Sequence, residues 1–252
     1  MIAIARALYA ELLKTKRTLA LLLAFLAPLS IALLVFVMYF QRNTPLVEVN
    51  ANIWIRMISN AMVMWGLLML PLFVTLETGL LNALEHGNKM WKQIFALPIP
   101  RWSVYIAKQL IALALIGLSM AILLVLLVIV GVLLSWLKPD FGFSAPIPWQ
   151  TLIECIFLAY LAAWLIIALH FWVSAHWSNF VVAMGVGIVA TVAGVMIVNS
   201  EWVTWYPWTL PGFVAINYLD NKLSGTVILF GFLGGIVMSV MGAWETNRPD
   251  VV

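Results

Sequence analysis

Residues Leu110–Leu137 read LIALALIGLSMAILLVLLVIVGVLLSWL, 28 positions without an acidic or basic side chain. Inside lipid only a helix or a closed barrel satisfies its own backbone polar groups, and a helix needs about 20 apolar residues to cross roughly 30 Å of hydrocarbon. This run is therefore read as a membrane-crossing helix, placed with its approach at 104–137. The same pattern recurs on both sides. Upstream, 18–40 and 53–76 contain no Asp, Glu or Lys, and Arg56 is their one full charge. Downstream, no Asp, Glu, Lys or Arg occurs between Cys155 and Ser200, a stretch too long for one crossing and too short for three. The polar group Ser174, His176, Ser178 and Asn179 divides it into spans at 155–175 and 179–200, and a last span follows at 223–244. The expected fold is all-α: one transmembrane domain over 1–252 with six spans. Composition agrees, with 65% hydrophobic and 9% charged residues, against about 45–50% and 25% in soluble domains.

The basic residues are sorted by loop, which argues for topology and against nucleic-acid binding. Nine of them, Arg6, Lys14, Lys16, Arg17, Lys89, Lys92, Arg101, Lys108 and Arg248, fall on one side of the six spans. Four, Arg42, Arg56, Lys138 and Lys222, fall on the other. The positive-inside rule then puts both termini in the cytoplasm and the chain in the inner (cytoplasmic) membrane. Trp136, Trp149, Trp202, Trp205, Tyr206 and Trp208 cluster on the outer side, at headgroup level. No removable signal peptide is expected, because residues 1–17 carry charges on both sides of their apolar residues and lack a small-residue cleavage site after a short hydrophobic region; they read as an interfacial helix. Ile2, Ala5, Leu8, Tyr9, Leu12 and Leu13 fall on one side of it, and Arg6, Glu11 and Lys14 on the other.

Between spans two and three lies a segment that is more than a connection. At 100° per residue Leu84, Trp91, Ile94 and Phe95 share one face, and Glu85, Lys89, Lys92 and Gln93 share the opposite one. Glu85 and Lys89 have the favourable i, i+4 spacing. Pro98 and Pro100 stop the helix, which is placed at 83–97. Such a helix lying under the bilayer can take a push from a soluble partner, and it can equally cap the bundle and couple to nothing.

This segment, with Glu77, Glu85, Lys89-x-Trp91-Lys92, Leu97-Pro98-Ile99-Pro100-Arg101 and Lys108, resembles the cytoplasmic segment of type-2 ABC exporter permeases. In that family it forms the coupling helix that contacts a separate ATPase subunit. The resemblance implies ATPase-coupling roles for Glu77, Glu85, Lys89, Trp91, Lys92 and Arg101. It also implies a second permease chain, identical or paralogous, with ATP and Mg bound by the partner subunit and no cofactor in this chain. The segment Trp205-Tyr206-Pro207-Trp208-Thr-Leu-Pro211 is similar to one in the lantibiotic-immunity and bacteriocin-protection permeases, which implies substrate or gate contact at Trp205, Tyr206, Pro207 and Trp208. The expected function is export of an amphipathic peptide, lipid-like or drug substrate. A non-transporting scaffold or sensor that docks a soluble partner is the alternative.

Other chemistry finds little support. The G-x-x-x-x-G-K-[ST] phosphate loop does not occur, so nucleotide hydrolysis would have to come from another chain. His86, His170 and His176 lack metal-ligand spacing, so no metal site and no enzyme activity are expected, and His170 reads as a packed residue. Ser119 and Ser174 lack a placed basic partner. Cys155, the single cysteine, cannot form an internal disulfide. Glu77 and Glu154 stand at span edges, where a charged side chain can snorkel to water. Ala183, Gly187, Ala190 and Gly194, and Gly231 with Gly235, have the four-residue spacing that lets helices approach, either for chain pairing or for internal packing.

Overall fold

A computed structural model describes residues 2–15, 18–44, 52–87, 100–177 and 179–246. Among them every regular element is helical. The helices are α1 (Ile2–Thr15), α2 (Leu19–Phe40), α3 (Ile53–Met64), α4 (Leu70–Gly87), α5 (Arg101–Leu137), α6 (Trp149–His176), α7 (Phe180–Met196), α8 (Leu210–Leu219) and α9 (Gly225–Thr246).

Five helical stretches are long and apolar enough to cross a membrane: Leu19–Phe40, Ile53–Ala83, Arg101–Leu137, Trp149–His176 and Gly225–Thr246. The expected fifth span of six, 179–200, is α7. It is apolar, but its 17 residues reach only about 26 Å at 1.5 Å per residue. Its start is set by Asn179, whose side chain accepts from the Val181 N–H at 2.9 Å. It stops at Met196, and the chain turns through Ile197–Ser200 into a 3-10 turn at Glu201–Thr204. A count of uncharged residues runs on to Ser200 because Ile197, Val198 and Asn199 carry no charge, yet they are outside the helix.

The second span also departs from its expected limits. Instead of ending near Leu76 it continues to Gly87, and one π turn, Trp65–Met69, interrupts it. The π turn sits where α8 comes back against the bundle. A Cβ on Gly66 would stand 2.5 Å from the Gly212 Cα, so the two backbones touch there. Trp65 is fully buried, and its indole N–H donates to the Met120 sulfur at 2.8 Å. Leu210, Pro211, Gly212, Val214 and Ala215 of α8 are buried. Cys155 is buried beside the Ala215 carbonyl.

Two further pairings organise the bundle. α2 lies along α5 through Ala20, Ala24, Ile31, Ala32 and Val35, while Leu22, Phe25, Leu33 and Leu34 face outward. α6 lies along α9 with its backbone against glycines. A Cβ on Gly231 would meet the Ala162 carbonyl oxygen at 2.6 Å, and one on Gly235 the Trp164 carbonyl carbon at 2.6 Å. This pair of glycines is consumed inside the chain.

α1 packs on α5 through Ala7, Glu11 and Thr15, which are spaced i, i+4 and i+8 on one face. The sequence reading set Glu11 on the exposed side with Arg6 and Lys14; in the structure Glu11 is only 6% exposed. Lys14, one turn on, reaches back to its carboxylate at 2.6 Å and pairs with the charge there. Tyr9, Leu12 and Leu13 stay exposed.

Candidate functional site

The end of the bundle where α4 and α5 meet holds buried polar side chains that no soluble loop explains. Glu77 is fully buried, and neither carboxylate oxygen has a hydrogen-bond partner. Placing it at a span edge with its charge reaching water is thereby corrected. The helix runs on for ten residues beyond Glu77, so the side chain lies within the packed length of α4. Lys108, counted above as a loop charge, is 2% exposed, and its ammonium donates to the Leu81 carbonyl oxygen at 3.3 Å. Asn82 donates to the Ser174 hydroxyl at 2.8 Å and to the Thr78 carbonyl at 3.1 Å. The last turns of α4 are thus bonded to α5 through Lys108 and to α6 through Ser174. Gln109 extends the chain of contacts by donating to Ser239 of α9 at 2.7 Å.

Arg101 opens α5, behind Pro100 at the helix N-cap. There the Ser103 hydroxyl and backbone N–H both donate to the Pro100 carbonyl, at 2.6 and 2.9 Å. Of the other expected coupling residues, Lys89, Trp91 and Lys92 lie outside the described residues, as does the side chain of Glu85. The helix expected at 83–97 is described only to Gly87, and up to that point it is the continuation of α4.

At the opposite end the aromatic group splits in two. Trp202 and Trp205 are exposed, Trp205 standing edge-on to Phe230 with centroids 5.6 Å apart. Tyr206 and Trp208 are half-buried and lie against each other with centroids 5.6 Å apart and planes tilted by 35°, with Pro207 half-buried between them in the chain. The Tyr206 hydroxyl donates to the Ala190 carbonyl at 2.8 Å and so ties this segment to α7. Burial raises the phenol above its ordinary value. Nearby, Tyr218 of α8 donates to the Glu154 carboxylate; burial, followed by that carboxylate, pushes its phenol up to about 12.

α7 reaches the bundle through one narrow face. Ala183, Gly187, Thr191 and Gly194 are buried against the rest of the chain, and Ala190 is half-buried. Val181, Val189, Val192 and Met196 project outward. Ala183, Gly187 and Gly194 are therefore occupied by internal packing, whereas Gly185 is exposed. Opposite Gly187 lie Thr75 of α4 and His170 of α6: a Cβ there would stand 2.1 Å from the Thr75 Oγ1 and 2.8 Å from the His170 Cε1. Gly194 faces Thr209, Tyr206 and Trp208.

Sequence reasoning overlooked Asn82 and Thr75, and it took Ser174 as a break between spans and His170 as a packed residue without pairing either with the second span. Their signal was present as spacing: Thr75, Thr78 and Asn82 recur at i, i+3 and i+7 on one span, and His170 and Ser174 at i and i+4 on another. Polar residues repeating at helical period on two apolar spans mark the faces those spans turn toward each other.

Residues 7–194 match the family model described as ABC-2 family transporter protein. A comparison with curated proteins gave no match.

Proposed function

This chain belongs to the ABC-2 transporter family, and from that premise we propose that it is the membrane-spanning subunit of an ATP-driven exporter. It is a multi-pass membrane protein, and membership of the family implies association with an ABC ATPase subunit. In this reading the ATPase is a separate polypeptide, a second permease chain completes the pathway, and α7 with its following turn serves as a sixth crossing. Both termini lie on the cytoplasmic face of the inner membrane, with α1 seated at the interface through Tyr9, Leu12 and Leu13. The substrate is an amphipathic peptide, lipid-like molecule or drug, as in immunity to bacteriocins. Trp205, Tyr206, Pro207 and Trp208 stand as candidate gate residues.

One observation carries the reading. Beyond its π turn the second crossing helix runs on as α4 to Gly87, into the segment that would meet the ATPase, and its last turns are bonded sideways to two neighbours, by Lys108 to the Leu81 carbonyl and by Asn82 to Ser174. A displacement applied beyond Gly87 reaches α5 and α6 directly, because a helix transmits force along its hydrogen-bonded axis. Glu77, Glu85, Lys89, Trp91, Lys92 and Arg101 form the coupling set, with the charged members toward the ATPase.

Co-purification tests this. The chain should bring down an ABC ATPase and raise its hydrolysis rate, and exchanging the charges in Glu85→Lys with Lys89→Glu should abolish stimulation while the permease remains inserted. Retention of a soluble partner without ATPase activity would replace the exporter with a docking scaffold.

A further inference from the structure

Of the two histidines in the span Trp149–His176, His170 is the interior one. The ring is fully buried and neither nitrogen has a hydrogen-bond partner. The Ala183 backbone approaches it without ordinary hydrogen-bond geometry. Next to it, edge-on at 6.3 Å between ring centroids, is Trp208, whose indole nitrogen is also buried and unpartnered. On the third side Thr75, fully buried, spends its hydroxyl hydrogen on the Pro71 carbonyl at 2.9 Å and keeps its oxygen available as an acceptor. A polar group buried without a partner is disfavoured, and a phenylalanine would fill the same volume at no such cost. Thr75 and His170 meet at Gly187 and Trp208 stands beside His170, so three polar side chains from two helices and a loop cluster at one point with bonding capacity unused. That point is covered by the Gly187 side of α7.

We propose that His170, Thr75 and Trp208 form a hydrogen-bonding site for an uncharged hydroxyl or amide group carried by an otherwise apolar molecule, with the small-residue face of α7 as its cover. The proposal rests on the transporter reading and deepens it by naming the chemistry of the cargo. An uncharged imidazole offers one donor and one acceptor on either side of Cε1, and it is Cε1 that points at Gly187. A hydroxyl both donates and accepts, so it can engage either ring nitrogen, one at a time, and the indole adds a further donor. The charge of an ion would find no partner here. Glu77, two residues beyond Thr75, is turned about 200° around α4, and Lys108 is committed near Leu81.

The cover is suited to leave. α7 touches α4 mainly through Ala183, Gly187 and Thr191, and the Thr191 hydroxyl satisfies itself on the Gly187 carbonyl of its own helix at 2.7 Å. No side-chain hydrogen bond of α7 to α4 or α6 has to break for it to move aside, among the bonds of the described residues.

Photolabelling tests the site on the full chain in the membranes of producing cells. One probe is a long-chain alcohol with a diazirine beside its hydroxyl, and the control is the matching diazirine alkane. The alcohol should label peptides around residues 170 and 187 about five-fold more than the alkane, the scale of one net hydrogen bond. His170→Phe should abolish the preference and His170→Gln should keep it. Equal labelling by the two probes in the native chain overturns the site, and that comparison needs no variant to fold. Retention of the preference in His170→Phe overturns it as well. ATPase stimulation in the same membranes reports separately: labelling without stimulation keeps the site and removes the exporter, and stimulation without hydroxyl preference removes the site alone.

Discussion

The seam between α6 and α9 and the seam between α4 and α7 are both built on small residues, yet they are different joints. At the first, Gly231 and Gly235 let main chain lie on main chain, and any added carbon meets backbone that cannot retreat. At the second, Gly187 lies on the side-chain ends of Thr75 and His170 and not on backbone. In a membrane no hydrophobic force holds helices together, so packing and interhelical hydrogen bonds decide which contacts persist. Backbone contact over successive turns makes a fixed unit of α6 and α9. Side-chain contact over one stripe leaves α7 able to separate.

The contrast can be broken most severely at Gly235. Gly235→Leu should cost about 3 kcal/mol or more, because the new side chain must displace the Trp164 backbone. Thermal unfolding in detergent, followed by size-exclusion fluorescence, should show little folded protein. Gly187→Ala should cost less, about 1–3 kcal/mol. Thr75→Ala should recover part of that loss by removing the two atoms that the new methyl meets first, at 2.1 and 2.4 Å. A double-mutant cycle on unfolding midpoints would show the recovery. Asn82→Leu severs the bond from α4 to Ser174. It should lower stability by about 1 kcal/mol and depress ATPase stimulation in the co-purified complex, whereas the α6–α9 unit stays folded. The smallest effect is expected at Gly185, on the same helix as Gly187. Nothing stands within 4 Å of its added Cβ, so Gly185→Ala should leave stability level or raise it by up to about 1 kcal/mol through helix propensity. A loss at Gly185 as large as that at Gly187 would mean that the outer face of α7 is covered in the assembled protein.

The long crossings were legible because uncharged runs in lipid have few alternatives, and Leu110–Leu137 sits inside α5 as expected. Where a helix stops was harder to read. α7 ends at Met196 through the fold of the following turn, in which Thr209 donates to the Val203 carbonyl at 2.6 Å and Tyr206 reaches back to Ala190. Those contacts span sixteen residues or fewer but depend on the bundle behind them. Charge was the other weak point. Glu77 and Lys108 look like loop residues when charges are counted along the chain, and both are buried because α4 and α5 extend past their apolar cores and stay paired. Hydropathy reports composition along a line, and burial of these two depends on which helix lies alongside. Gly187 shows the same limit: spacing marked it as a contact residue, and only the fold decides between a neighbour in the chain and a neighbour outside it.

The π turn at Trp65–Met69 carries one residue more than the α-helical winding around it needs. An i→i+5 turn winds less per residue than an α turn, so it absorbs that residue and leaves the helix on its two sides nearly in phase. Straightening the turn into regular winding with every residue kept would rotate everything beyond it by about 100° relative to α3. Thr75, Glu77, Thr78 and Asn82 would then look toward different neighbours, although none of them had been altered. The wide turn acts as a phase setting between two halves of one rod, and losing it without shortening the rod would misalign its polar side without touching a single polar group.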